Sequence, residues 1–199
     1  MKTTARPFTP LAAVLLLGVP LVAGAHDGDG HAMGFVAGLL HPLSGLDHVL
    51  VMVALGTWAA LLGGTALWRL PLAFVLGMAL GGATGLAGVA LPGIEAGIAV
   101  SVVVLGALLL FERRAPLLAG GLVGAVAGLM HGYAHGSELP AGSDALGYCI
   151  GFLTCTALLH ATGLMLGWSL RDASVRPLLR SAGAAVAASG LFFVWRALA

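Results

Sequence analysis

The sequence predicts an all-α integral membrane protein: six transmembrane helices after a cleaved signal peptide, with the first span broken between Pro42 and Gly45. Three observations predict it. First, 59% of the 199 residues are hydrophobic and 9% are charged, whereas a soluble domain carries about 25% charged residues. Nine Lys and Arg with eight Asp and Glu cannot keep a 19.9 kDa surface in water, and the mean hydropathy is +1.03. Soluble enzymes, disordered chains and nucleic-acid binders are disfavoured on that ground, and no nucleic acid is expected as a partner. Second, apolar stretches recur at about 33–64, 70–91, 94–111, 116–135, 145–169 and 178–198, most with the ~20 residues that a ~30 Å hydrocarbon core requires. Third, charge alternates between connections. Arg69, Arg113, Arg114, Arg171, Arg176 and Arg180 follow stretches one, three and five, while Glu95, Glu138 and Asp144 follow two and four without Lys or Arg. The arginine connections are therefore expected in the cytoplasm and both mature termini outside, with Arg196 snorkelling as the outward exception.

The N-terminus is an address. Lys2 and Arg6 precede the apolar residues 11–22, and Ala23-Gly24-Ala25 fits the small-x-small cleavage pattern. Residues 1–25 are the expected signal peptide, an uncleaved anchor being the alternative. Residues 26–32 form an outer leader, and 33–199 form the six-span domain. The leader His26-Asp-Gly-Asp-Gly-His31 is either a plain polar lead-in or a metal-capture segment.

As one helix, the 33–64 stretch would be ~48 Å long at 1.5 Å per residue. Pro42 disfavours helix at His41, and Ser44-Gly45-Leu46-Asp47 reads as a capping box opening a new helix that runs to about Leu62. Irregular backbone at membrane depth survives only where protein buries it or it lines a wet cavity, so the corner is a candidate site. Pro71, Pro116 and Pro177 stand near the starts of other spans, where a missing N–H costs little.

The 31 glycines suggest closely packed transmembrane helices, most clearly at Gly120, Gly124, Gly128, Gly132 and Gly136. Gly34-Phe-Val-Ala-Gly-Leu-Leu-His41 returns as Gly124-Ala-Val-Ala-Gly-Leu-Met-His131. Three spans separate the copies, which is the spacing of an inverted repeat, and transporters place substrate where such repeats meet. Chance matching in a Gly-, Ala- and Leu-rich chain is the other reading. Cys149 and Cys155 lie six apart, which indicates neither a disulfide nor a CxxC metal site.

Five histidines lie in or at the ends of apolar spans: His41, His48, His131, His135 and His160, with Asp47 and Glu138 alongside. Ionisable residues in a bilayer mark ion or substrate paths, and imidazole with carboxylate suits a divalent transition metal such as Ni, Co or Zn. His131 and His135 are i,i+4 and share a helix face, with Glu138 on the same side. His41 and His48 would stand ~10.5 Å apart on a straight helix, so the break is what lets them converge with Asp47. Blander roles exist. His160 can simply bond a neighbouring helix, Asp47 can serve only to start one, and Met52 reads as core filler before it reads as a thioether ligand.

His41-Pro-Leu-Ser-Gly-Leu-Asp-His48-Val-Leu-Val-Met52 resembles the HPxxGxDHxxxM signature of the HupE/UreJ family, and His131-Gly-Tyr-Ala-His-Gly-Ser-Glu138 is similar to its second motif, HGxAxGxE. The resemblance covers the whole chain. It implies a nickel or cobalt permease of the bacterial cytoplasmic membrane that supplies hydrogenase, urease or cobalamin. By that resemblance His41, Asp47, His48, Met52, His131 and Glu138 fall on motif positions, while His135 rests on spacing alone. The expected partners are the bilayer and a transported Ni2+ or Co2+ ion, with no prosthetic group, and a homo-oligomer is compatible with the sequence. A membrane-embedded metal-dependent hydrolase is the alternative, with Asp47 or Glu138 as base, although no HExxH occurs. A haem b carrier with paired histidine ligands is a third reading. No GxxxxGK[ST] loop is present to drive transport with ATP.

Overall fold

The computed structural model describes residues 30–138 and 144–199, with side chains at 34–137 and from 144 onward. The expected signal peptide and His26 lie outside the described residues, as do the side chains of His31 and Glu138. The described residues form seven α-helices: α1 Gly30–Ser44, α2 Leu46–Leu62, α3 Ala66–Leu86, α4 Ile94–Leu110, α5 Leu117–Glu138, α6 Ala145–Ser169 and α7 Arg176–Leu198. Helices α3, α5, α6, and α7 with its preceding 3₁₀ turn, are long and apolar enough to cross a bilayer. The α1–α2 pair, bent by 82°, makes a fifth candidate span, and α4 is a shorter apolar helix of 17 residues. Leu76, Leu122, Val126, Leu158 and Met165 point outward around the bundle, an apolar surface too extensive for contact with water.

The corner differs from the sequence expectation in three details. Pro42 does not end the helix at His41; it sits fully buried in the last turn of α1. A proline so close to a helix end removes one internal hydrogen bond that can be given up. The break is the single residue Gly45, with φ −105° and ψ 117°. No capping box forms: Ser44 Oγ donates back to the His41 carbonyl (2.6 Å), and Gly45 starts α2 without a side-chain cap. Pro71 also lies inside α3, because that helix begins at Ala66, earlier than expected.

Glycine governs the packing. Gly124, Gly128, Gly132 and Gly136 on α5 lie against the carbonyls of Leu70, Phe74, Met78 and Gly82 on α3, and Gly77, Gly81 and Gly85 return the contact. A Cβ at most of these positions would overlap backbone, so only small residues permit this approach. The residue pairs rise together, so α3 and α5 run parallel. Helices α1 and α2 likewise run parallel to α6, through Gly34 and Gly38 against Asp144 and Tyr148, and Gly163 and Gly167 against Val53 and Thr57. Helices α4 and α7 run antiparallel, pairing Gly106 with Ala187 and Gly190 with Val103.

These contacts favour repeat over chance. Gly34 meets the carbonyl of Asp144 as Gly124 meets that of Leu70. Gly38 meets Tyr148 as Gly128 meets Phe74, and Gly151 meets Phe35 as Gly77 meets Ala125. One constant shift relates α1 to α5 and another relates α3 to α6. The two helix pairs thus share one packing register, as two copies of one unit would. The exchange pairs α4 with α7, and those two run antiparallel, so the repeat is inverted.

The connections gather at opposite ends. At one end, Glu112 pairs with Arg176 (3.5 Å) and Arg180 (3.1 Å), Trp58 Nε1 donates to the Arg113 carbonyl (2.8 Å), and the Arg171 guanidinium donates to the Ala60 carbonyl. At the other, the Tyr133 hydroxyl closes the α3–α4 connection by donating to the Val89 carbonyl (2.8 Å).

Candidate metal centre

The bend at Gly45 turns the end of α1 and the start of α2 toward α5, and four imidazoles meet there. Successive ring centroids stand 4.5 Å apart from His131 to His48, 4.5 Å from His48 to His135, and 4.6 Å from His135 to His41. His135, which rested on spacing alone, is the central ring joining His48 to His41. A cavity of about 240 Å3 opens beside them, lined by His41, Asp47, His48, Glu95 and His135.

Partner chemistry assigns the ring protons. Asp47 Oδ1 accepts from the His48 backbone N–H (2.8 Å) and lies 2.7 Å from His48 Nδ1. A carboxylate only accepts, so Nδ1 carries the proton and Nε2 presents a lone pair; Nε2 is buried and has no partner among the described residues. His131 is fully buried, and its Nε2 lies 3.2 Å from Ser101 Oγ. That hydroxyl already donates to the Ile98 carbonyl (2.6 Å), so it accepts from Nε2–H and leaves Nδ1 as a second unpartnered lone pair. Both nitrogens of His135 are buried and unpartnered as well. A ring proton held by an acceptor while the other nitrogen stays bare is how metal-ligating histidines are oriented. Two of the three contacts are edge to face and the His48–His135 contact is tilted, and among the described residues no three His, Cys, Asp or Glu side chains already surround one point.

The remaining sequence candidates divide. Met52 is fully buried in the apolar core and does not line the cavity. His160 is buried on α6, apart from the cluster. Glu138 closes α5, but its side chain lies outside the described residues. His26 and His31 take no described part.

Sequence reasoning missed two residues. Glu95 was read only for the charge of its connection, yet it lines the cavity from the first turn of α4. Its signal was available: an acid opening an apolar span on the same side as Asp47. Ser101 carried no signal at all, since one serine in an apolar helix is ordinary.

A family model described as HupE / UreJ protein matches residues 14–193. Protein HupE from Rhizobium leguminosarum bv. viciae is 49% identical over 183 residues, covering 92% of this chain and 93% of the relative. No solved structure matches the chain. A family model spanning nearly the full length, and a relative with half its residues identical across that span, place it without ambiguity: the chain belongs to the HupE/UreJ family.

Proposed function

We propose that this chain is a secondary transporter, not an enzyme, that carries Ni2+ or Co2+ across the bacterial cytoplasmic membrane for metalloenzyme maturation (hydrogenase, urease or cobalamin). The observation that carries the reading is the set of buried, bare ring nitrogens on His48, His131 and His135, whose rings pack together inside an apolar bundle beside Asp47 and Glu95. Unpartnered lone pairs in such surroundings are costly, and a passing divalent cation is the group that satisfies them. Neutral imidazole with carboxylate is the donor set of a borderline divalent ion. The rings must rotate apart to admit it, with His41 and Glu138 as further donors and the family resemblance favouring nickel or cobalt. His26 and His31 are read as capture residues on an outer leader exposed once the signal peptide is cleaved.

Six crossings fit the helix directions, with α1 and α2 as one broken span and α4 as a short one. Spans one and five, and two and four, then run parallel, and three and six antiparallel. The arginine-bearing end is read as cytoplasmic and both mature termini as periplasmic. The test is uptake of radiolabelled Ni2+ and Co2+ into proteoliposomes without ATP, with Zn2+ and Mn2+ as competitors. Uptake no faster than in protein-free vesicles would overturn the reading.

A further inference from the structure

His160 is a buried histidine that the cluster does not use. It is 3% exposed on α6, and its Nδ1 lies 2.8 Å from the carbonyl of Thr156. A carbonyl only accepts, so Nδ1 carries the proton and Nε2 presents a lone pair. That nitrogen is buried and has no partner among the described residues, so no hydrogen bond to a neighbouring described helix accounts for it. One turn earlier, Thr156 is fully buried. Thr57, Thr154 and Thr162 each donate their hydroxyl to the carbonyl four residues back, as threonine in helices does. Thr156 departs from the pattern, and its Oγ1 is buried without a partner. A nitrogen and an oxygen thus stand bare on one face of α6, four residues apart.

Their place along the bundle gives them a use. Gly56 of α2 lies against the His160 carbonyl, eight residues beyond His48, or ~12 Å deeper at 1.5 Å per residue. Phe74, fully buried, stands between the two levels with its ring centroid 6.0 Å from His131 and 5.2 Å from His160. We propose that His160 Nε2 and Thr156 Oγ1 form a second, inner binding station, which takes the divalent cation from the outer cluster past Phe74 toward the arginine-bearing end. The station rests on the transport reading above. It has no carboxylate, so it holds the ion more weakly than the cluster that contains Asp47, and a site within a conduction path must be weak enough to release.

The experiment uses the full chain with Ni2+, and Zn2+ as a competitor for the cysteine variant. It pairs initial uptake rates in proteoliposomes with equilibrium Ni2+ binding to the purified protein in detergent. His160→Ala is expected to lower maximal uptake about tenfold or more, the usual scale for losing a ligand or its support, while binding to the outer cluster stays within about twofold. Thr156→Val, which keeps the shape and removes the hydroxyl, should lower maximal uptake in the same direction. His160→Cys should restore uptake in part and move the ion preference toward thiophilic Zn2+, which a purely structural histidine would not do. Wild-type uptake by His160→Ala, or uptake and binding falling together in every variant, overturns the station. If His160→Ala fails to fold, unchanged uptake by Thr156→Val does so instead. A wild-type protein that binds and carries no Ni2+ overturns the transport reading itself, and the station with it; active wild type with indifferent variants removes the station alone.

Discussion

Replacing Asp47 with Asn separates charge from shape at the centre of the cluster. The amide keeps an oxygen where Oδ1 now stands, able to accept from the His48 backbone N–H at 2.8 Å and from Nδ1–H at 2.7 Å. What disappears is the negative charge. Hydrogen bonds to an ionised acceptor are roughly twice as strong as neutral ones, and a carboxylate behind a histidine raises that ligand's basicity. Loss of such a partner typically costs about 10–100-fold in metal affinity or activity, or about 1.4–2.8 kcal/mol. Asn is an excellent N-cap, but Gly45 occupies the cap position of α2, so the cap is the same in both proteins and only the first-turn charge, worth about 0.3–1 kcal/mol to the helix, changes with it. The assay is Ni2+ uptake at several concentrations, normalised to reconstituted protein, for Asp47→Asn, Asp47→Ala and His48→Ala. Asn is expected to fail nearly as badly as Ala, and His48→Ala to abolish transport. Uptake by Asp47→Asn within about twofold of wild type would refute the argument that this charge serves the ion.

Other substitutions test neighbouring parts. A Cβ at Gly45 would lie 2.6 Å from His48 Nδ1 and 2.7 Å from Asp47 Oδ1; Gly45→Ala should therefore disrupt that pair and impair uptake with normal membrane insertion, and wild-type kinetics would count against the corner. Gly128→Ala forces a methyl onto the Phe74 carbonyl, whereas Gly121→Ala enters open space. The first should destabilise by about 1–3 kcal/mol and lower the thermal midpoint in detergent, the second should not, and equal midpoints would contradict the packing. Glu95→Gln removes a carboxylate from the cavity wall and should raise the KM for Ni2+ more than it lowers maximal uptake; an unchanged KM would remove Glu95 from the path. Cysteines at the exposed positions Ser137 and Ser174 should react with an impermeant label from outside and inside respectively, and equal accessibility would defeat the six-crossing topology.

Much of the fold was legible because membrane helices announce themselves by composition. The 145–169 stretch agrees with α6 to the residue, and 94–111 and 116–135 fall close to α4 and α5. The corner was legible in kind but not in detail. Pro42 raised the expectation of a break before it, yet proline is tolerated in a final helical turn, and the extended Gly45 does the turning alone. At the site, i,i+4 spacing put His131 and His135 on one face, but no spacing rule can say that His135 lies between His48 and His41, because that depends on how α5 crosses α1 and α2. Glu95 and Ser101 reach the cluster from α4, by contacts distant in sequence. The repeat was visible as eight residues, and the packing that supports it, carbonyls against glycines, is something sequence comparison does not see.

The inverted repeat has a consequence for how this molecule can change shape. In one half the unit is sharply bent, at Gly45, by 82°; in the other the matching unit is the single unbroken helix α5. One chain thus holds two shapes of the same building block. Trading them, so that α5 bends and the first pair straightens, would generate a conformer built from the same kinds of carbonyl-to-glycine contact but open at the arginine-bearing end instead. The free-energy gap between the two forms is then set mainly by positions where the halves differ, and those positions include the site itself.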